Sequence, residues 1–278
     1  MLKFYDFARK YFYGFLSDAA DLICPPNCLA CQKPLDRSRK NYLFCDCCCQ
    51  NMIVSLWEYC PRCGAIGFLT PGGRSDKGGC FECRRQTFQF SDVTVLGKYS
   101  ELLRLMILRM KHDRDGIVSG NMARLFLSVR KQELRRNLPD LITPIPMHFI
   151  RRFFRGVNNP IFFAKEIGTE LNIPVSLDIL RRTRYTEPQF NLKPNRRFSN
   201  VRGAFAFVGR KELLAGKHVL LVDDIMTTGA TCNEAARVLR EAGAASVRVA
   251  VYGRTMKEEK NHNFEKLFSE KDYNLTNL

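Results

Sequence analysis

Two adjacent carboxylates, followed by a run of small hydroxyl side chains around a glycine, are the residues of this 278-residue chain best suited to chemistry. They are Asp223 and Asp224, then Thr227-Thr228-Gly229-Ala230-Thr231. Carboxylates accept hydrogen bonds from vicinal hydroxyls, while a Thr/Gly loop offers backbone N–H and hydroxyl donors to an anion. Ahead of them the apolar run Val219 to Val222 reads as a strand buried on both faces inside a parallel sheet. The acids are therefore expected just beyond its carboxyl end, where ligands bind in open α/β sheets. A helix expected over 231 to 242 points its positive end into the loop. On these residues alone the stretch is a diol-plus-phosphate site, and a ribose 5-phosphate carries both groups. The competing reading is an acid pair that merely caps a helix. It leaves the complementary donors and acceptors unexplained.

A second chemistry is written in cysteine. Between residues 28 and 83 stand four Cys-x-x-Cys pairs: Cys28/Cys31, Cys45/Cys48, Cys60/Cys63 and Cys80/Cys83. Two such pairs make a closed tetrahedral site of the structural zinc kind, so four predict two Zn²⁺ sites. A redox reading is weak, because no strand-helix pattern surrounds any pair. Spacing leaves the partnering open between consecutive pairs and an alternating cross-brace. Cys24, Cys47, Cys49 and Cys232 are left over, and the run Cys45 to Cys49 blurs the second pair by one residue. The segment has little else with which to build a core, so metal is expected to supply its folding energy.

Charge points to the ligand class. The chain carries 44 Lys+Arg against 28 Asp+Glu, a formal +16, and residues 91 to 217 alone hold 24 basic and 11 acidic side chains. Such a field favours nucleic acid or phosphorylated ligands over a plainly solvated face. Two basic stretches stand out. Arg151, Arg152 and Arg155 flank Gly156 ahead of a helix, where guanidinium forks suit a diphosphate. Residues 181 to 202 hold seven Lys/Arg against Glu187, with Pro188, Pro194 and no sustained period, and so read as a long loop. Arg182, Arg184, Arg196 and Arg197 are interleaved there with Tyr185, Gln189, Phe190 and Phe198, which suits single-stranded nucleic acid: charges for phosphates, rings for bases. A lid closing over a sugar diphosphate competes with that reading.

The elements that must position these groups follow from periodicity. A strand is expected around Val93 to Leu96 and a helix over 101 to 111 with Leu103, Met106, Ile107 and Met110 inward. Further helices are expected over 121 to 136 and 158 to 171, with strands over 141 to 146 and 247 to 252. An aromatic N-terminal helix would align Phe4, Phe7, Tyr11 and Phe15. No apolar stretch approaches the ~20 residues of a membrane span, so no span is expected, and a cytoplasmic location is.

Taken in order, these motifs resemble the ComF-type family, a phosphoribosyltransferase-related family of natural competence. The resemblance covers the four cysteine pairs, Lys111, Arg155-Gly156-x-Asn158, Arg182, Arg184, Thr186, Gln189, Leu192, Arg197, Asn200, Gly203-Ala204-Phe205 and Val222 to Thr231. One departure is Val157-Asn158-Asn159, where the family usually has Phe-Asn-Gln. The resemblance implies an α/β type I phosphoribosyltransferase-like fold, a parallel sheet flanked by helices, behind a small Cys-rich double zinc ribbon with consecutive pairing. The implied divisions are 1–23 aromatic helix, 24–90 double zinc ribbon, 91–256 phosphoribosyltransferase-like domain and 257–278 polar tail. It also implies that Asp223 and Asp224 hold the ribose hydroxyls of phosphoribosyl pyrophosphate (PRPP), as the catalytic acids of any transfer. The loop Thr227 to Thr231 would take the 5-phosphate, the Arg151–Gly156 segment the diphosphate, and Mg²⁺ would accompany PRPP. The implied role is handling incoming single-stranded DNA in the cytoplasm, alongside other DNA-uptake proteins. The alternative is an active PRPP-dependent transferase, for which no base-specific hood or proton acceptor is identifiable by spacing. A PRPP-sensing regulator ranks below both, as no helix-turn-helix pattern is present.

Overall fold

The computed structural model describes residues 26–36, 42–55, 58–67, 79–113, 115–147, 159–187 and 192–255. The expected N-terminal aromatic helix, Cys24, the segment Arg151, Arg152, Arg155 and Gly156, the pair Gln189 and Phe190, and the tail 257–278 lie outside the described residues. In chain order the elements are α1 (Asp46–Met52), β1 (Val93–Lys98), α2 (Glu101–Met110), α3 (Ile117–Arg136), β2 (Leu141–Pro144), α4 (Asn159–Leu171), β3 (Leu180–Arg182), α5 (Pro194–Val201), β4 (Phe205–Phe207), β5 (His218–Met226), α6 (Ala230–Glu241) and β6 (Ser246–Arg254).

Strands β1, β6, β5 and β2 pair in that order, all parallel. The run Val219 to Val222 is buried throughout, as its composition predicted. Leu220 and Val222 pack with Ala250 and Tyr252 on the face covered by α2, α3 and α4, while Val219 and Leu221 join the core under α6 and the β3–β4 pair. Phe163 of α4 stacks on Tyr252 at 4.0 Å, with Phe126 of α3 edge-on to Phe163 at 4.7 Å. Each such ring fully buried stabilises the fold by roughly 1.5–3 kcal/mol. All four residues expected to face inward from α2 are buried.

Three differences from expectation have local causes. β5 runs on through Met226, because Asp223, Ile225 and Met226 pair with Val251, Gly253 and Arg254 of β6; the acids lie within the strand's last turns of pleat, not beyond it. α3 begins a turn early, where Gly116 is left-handed (φ 73°) and the Asp113 carboxylate accepts the Ser119 N–H at 2.7 Å. Residues 181–202 are not one loop. They contain the end of β3, antiparallel to β4, and helix α5. A proline in the first turn opens α5, and its inward positions are Arg197 and Val201, so the buried face had no apolar period to read.

The cysteine-rich segment shares the core of the sheet domain. Met52, at the end of α1, presses its carbonyl against β1 so closely that a Cβ on Gly97 would lie 1.8 Å from it. The Val54 N–H donates to the Leu96 carbonyl at 2.9 Å, and the Val93 N–H to the Pro61 carbonyl at 2.7 Å. Arg130 of α3, buried, caps the Val54, Val95 and Leu96 carbonyls.

From β2 the chain passes through α4 outward to residues 174–176, where Val175 bridges Ile142; from β5 it passes through α6 inward to β6. Opposite turns at neighbouring strands open a crevice at their carboxyl ends.

Candidate functional site

That crevice is where Asp223 and Asp224 stand. Both are half-buried, and each is turned back on its own backbone: the Asp224 N–H donates to Asp223 Oδ1 at 2.9 Å and the Ile225 N–H to Asp224 Oδ1 at 2.8 Å. Burial, then the charge of Asp224, pushes the Asp223 carboxyl well above the usual carboxylate range, and the Arg182 guanidinium works against that shift. Asp224 reaches further as well. Its charge adds to the effect of burial in raising the phenols of Tyr99 and Tyr252.

The loop then turns at Gly229, left-handed at φ 80°, and α6 starts at Ala230. A side chain at Gly229 would be strained by that backbone and would meet Met226 Cε at 3.0 Å. The start of α6 faces this loop, and the N-terminal end of a helix carries the positive end of its dipole, which favours an anion. Thr227, Thr228 and Thr231 are half-buried around this turn, and Thr228 Oγ1 is buried with no hydrogen-bond partner among the described residues. Acid pair and loop thus meet at one end of one strand.

The basic residues of 181–202 separate into different roles. Arg182, on β3, comes to the acid pair: its charge reaches Asp223, it donates to Thr186 Oγ1, and it lies over the Phe205 ring at 5.3 Å. Arg197 is turned inward instead. It is buried, donates to the Leu192 carbonyl at 3.1 Å, and its expected phosphate contact is therefore replaced by a structural one. Arg184 pins the end of α5 through the carbonyls of Asn200 (2.8 Å) and Arg202 (2.7 Å). Arg196, Tyr185 and Phe198 remain exposed.

The eight paired cysteines form two clusters by consecutive use: Cys28, Cys31, Cys45 and Cys48, then Cys60, Cys63, Cys80 and Cys83, with all four Sγ atoms of each within 4.8 Å of one another. Bonds of ~2.3 Å to a tetrahedral ion place sulfurs about 3.8 Å apart. The separations Cys31–Cys45 of 3.7 Å, Cys63–Cys80 of 3.5 Å, Cys80–Cys83 of 3.8 Å and Cys60–Cys83 of 3.9 Å fit, so both groups could hold zinc. Burial opposes it, but the N–H groups of Cys31, Cys45 and Ala30 hold the Cys28 thiol down to about 7, toward the thiolate a metal needs. Helix α1 settles the run Cys45 to Cys49. Successive residues point ~100° apart, so Cys48 faces the cluster, Cys47 faces solvent, and buried Cys49 donates to the Phe44 carbonyl. Cys232 is a core residue of α6 whose thiol burial pushes up.

Arg254, at the end of β6, is a site residue that sequence reasoning passes over. Its Nε donates to the Cys63 carbonyl at 2.9 Å, and its Nη1 to the carbonyls of Met226 at 3.3 Å, Thr255 at 2.9 Å, and Thr227. Tyr99 is the other. Both stand at strand ends, with no motif around them.

Residues 160–276 match the Phosphoribosyl transferase domain family. The chain is 30% identical over 205 residues to Competence protein F of Haemophilus influenzae, covering 72% of this chain and 86% of that one. It is 28% identical over 240 residues to DNA utilization protein YhgH of Escherichia coli strain K12, 84% of this chain and all of that one. Competence protein ComFC of Streptococcus pneumoniae is 28% identical over 193 residues, 69% of this chain and 78% of that one. Described helices include none long and apolar enough to cross a membrane.

Proposed function

Because the chain belongs to the ComF family of competence proteins, with a type I phosphoribosyltransferase-like fold behind two four-cysteine clusters, we propose that it binds single-stranded DNA during DNA uptake. It acts in the cytoplasm, alongside other DNA-uptake proteins. The loop after β5 is a pocket for PRPP or another ribose 5-phosphate ligand. Asp223 and Asp224 accept the ribose hydroxyls, and Thr227 to Thr231 with the first turn of α6 donate to the 5-phosphate. When PRPP is the ligand, Mg²⁺ would supply charge neutralisation for its diphosphate. The Arg151–Gly156 segment, which follows β2 in the sequence, takes the diphosphate. The two cysteine clusters hold structural Zn²⁺.

One observation carries the DNA reading: the 181–202 excursion begins at the acid pair, with Arg182, and then exposes Tyr185, Arg196 and Phe198. Rings and cations together on an accessible surface suit single strands, in a chain whose net charge is +16. The intact acid pair favours a second reading, an active phosphoribosyltransferase.

Titrating one preparation with PRPP plus Mg²⁺ by calorimetry, and with labelled single-stranded DNA by anisotropy over a salt series, tests both. Binding of both ligands, without diphosphate release on addition of nucleobases, is expected. Diphosphate release would move the assignment to the transferase, and absence of DNA binding at low salt would end the proposal.

A further inference from the structure

The second cysteine cluster touches the loop after β5 by two separate routes. The first runs through Arg254, only 6% exposed, which joins the Cys63 carbonyl on one side to the Met226 and Thr227 carbonyls on the other. Glu82, between ligands Cys80 and Cys83, lies 3.9 Å from Arg254 Nη2 and shares its burial. The second route is the segment leaving the cluster. Phe88 and Phe90 stack at 4.6 Å, and a Cβ at Gly229 would lie 3.6 Å from Phe90 and 3.7 Å from Phe88; between them the Gln89 N–H donates to Asn233 Oδ1 of α6 at 2.7 Å. Loop carbonyls and helix start are thus both tied to one cluster.

The first cluster has other neighbours. Its contacts run to α2 through Arg109 and the Leu29 carbonyl, and to α3 through the Leu43 N–H and Asn121 Oδ1 at 2.7 Å.

We infer that the Cys60/Cys63/Cys80/Cys83 site is the back wall of the phosphate loop, and that Arg254 is the positioning residue through which its metal holds the loop in shape. The ligand half of this inference rests on the reading of the loop as a ribose-phosphate site. A bound metal fixes the Cys63 carbonyl, Arg254 is fixed by that carbonyl, and the Met226–Thr227 turn is fixed by Arg254. Linkage is reciprocal: a ligand that prefers the ordered loop must also tighten metal at this cluster and not at the other.

The test is hydrogen exchange of the full-length, zinc-loaded protein, read on the peptide covering Met226 to Thr231. Arg254→Met is expected to keep both metal ions and to exchange in that peptide about tenfold faster or more, the effect of losing hydrogen bonds to a charged group. Arg254→Lys should recover part of the protection. Cys80→Ser should lose one ion and loosen the same peptide; Cys31→Ser should lose one ion and leave it unchanged. Unchanged loop protection in Arg254→Met, or equal loosening by the two cysteine variants, overturns the inference. If Cys80→Ser does not fold, the Arg254 variants against Cys31→Ser decide. In the parent, ribose 5-phosphate should slow chelator extraction of one ion, and in Arg254→Met of neither. A parent that does not bind ribose 5-phosphate rejects the phosphate-site reading, while the exchange result still decides the link.

Discussion

The two four-cysteine clusters use the same repeated spacing and yet occupy different mechanical positions. The first is seated on helices: α1 carries its Cys48 and meets β1 at Gly97 through Met52, and its loops meet α2 and α3. The second is seated between the start of β1, where Pro61 accepts from the Val93 N–H, and the carboxyl end of β6, where Arg254 reaches past Cys63 into the loop of the acid pair. Burial follows suit, since Cys31 of the first cluster is exposed and Cys45 half-buried, whereas in the second only Cys80 is less than buried. Spacing reports which residues can share an ion. Seating decides what that ion steadies.

The largest effects should come from removing one ligand at a time. Elemental analysis of the parent should give about two zinc ions per chain. Cys63→Ser should abolish one and lower the melting temperature more than Cys31→Ser does, because Cys63 is buried against the sheet and structural zinc is worth several kcal/mol of folding. Equal losses on thermal denaturation would break the contrast between the clusters.

The acid pair sharpens the comparison from the loop side. Asp223→Ala with Asp224→Ala should weaken binding of ribose 5-phosphate by about 10- to 100-fold, the scale of lost hydrogen bonds to charged groups. Metal content at both clusters should stay as in the parent. Asp223 alone makes a further claim about pH. Its folded-state affinity for a proton is raised, so its contribution to stability is present below the unfolded pKa and is lost as pH rises through the folded pKa. Asp223→Asn should therefore melt higher than the parent near about pH 8, with the difference closing toward about pH 4. A variant that melts lower at the higher pH would show Asp223 to be ionised and partnered in the fold.

The smallest effects belong to the excursion. Arg196→Ala should lower the salt slope of DNA binding by roughly 0.7 with little change in stability. Tyr185→Ala should cost on the order of 1–3 kcal/mol of DNA binding with the slope kept. Arg197→Ala should do the reverse of its neighbour, costing about 1–3 kcal/mol of stability by stranding the Leu192 carbonyl. If Arg196 and Arg197 instead behave alike in the salt series, the buried position of Arg197 is wrong.

Much of this was legible in the chain. Cys-x-x-Cys spacing, the apolar run before Asp223 and the Thr/Gly turn are local patterns, and local geometry converts them directly into a knuckle, a buried strand and an anion-ready helix start. Helix α5 was not legible, because an arginine holds its inward position and the period of hydrophobicity vanishes. Consecutive partnering of the cysteine pairs was implied only by resemblance. The folded chain decides it, by which knuckles meet.

Arg254 marks the limit most clearly. It is one of 44 basic residues, with nothing in its neighbourhood to distinguish it. The parallel register that sets Met226 beside Arg254 gives it a loop to hold, and the docking of a knuckle 191 residues earlier gives it Cys63. The sequence by itself determined the chemistry of the donors: eight thiols, two carboxylates and a threonine-rich turn. Only the tertiary structure decided which of them are coupled, because coupling runs through hydrogen bonds between segments far apart in the chain, and those exist only once strand register and knuckle docking have brought the segments together.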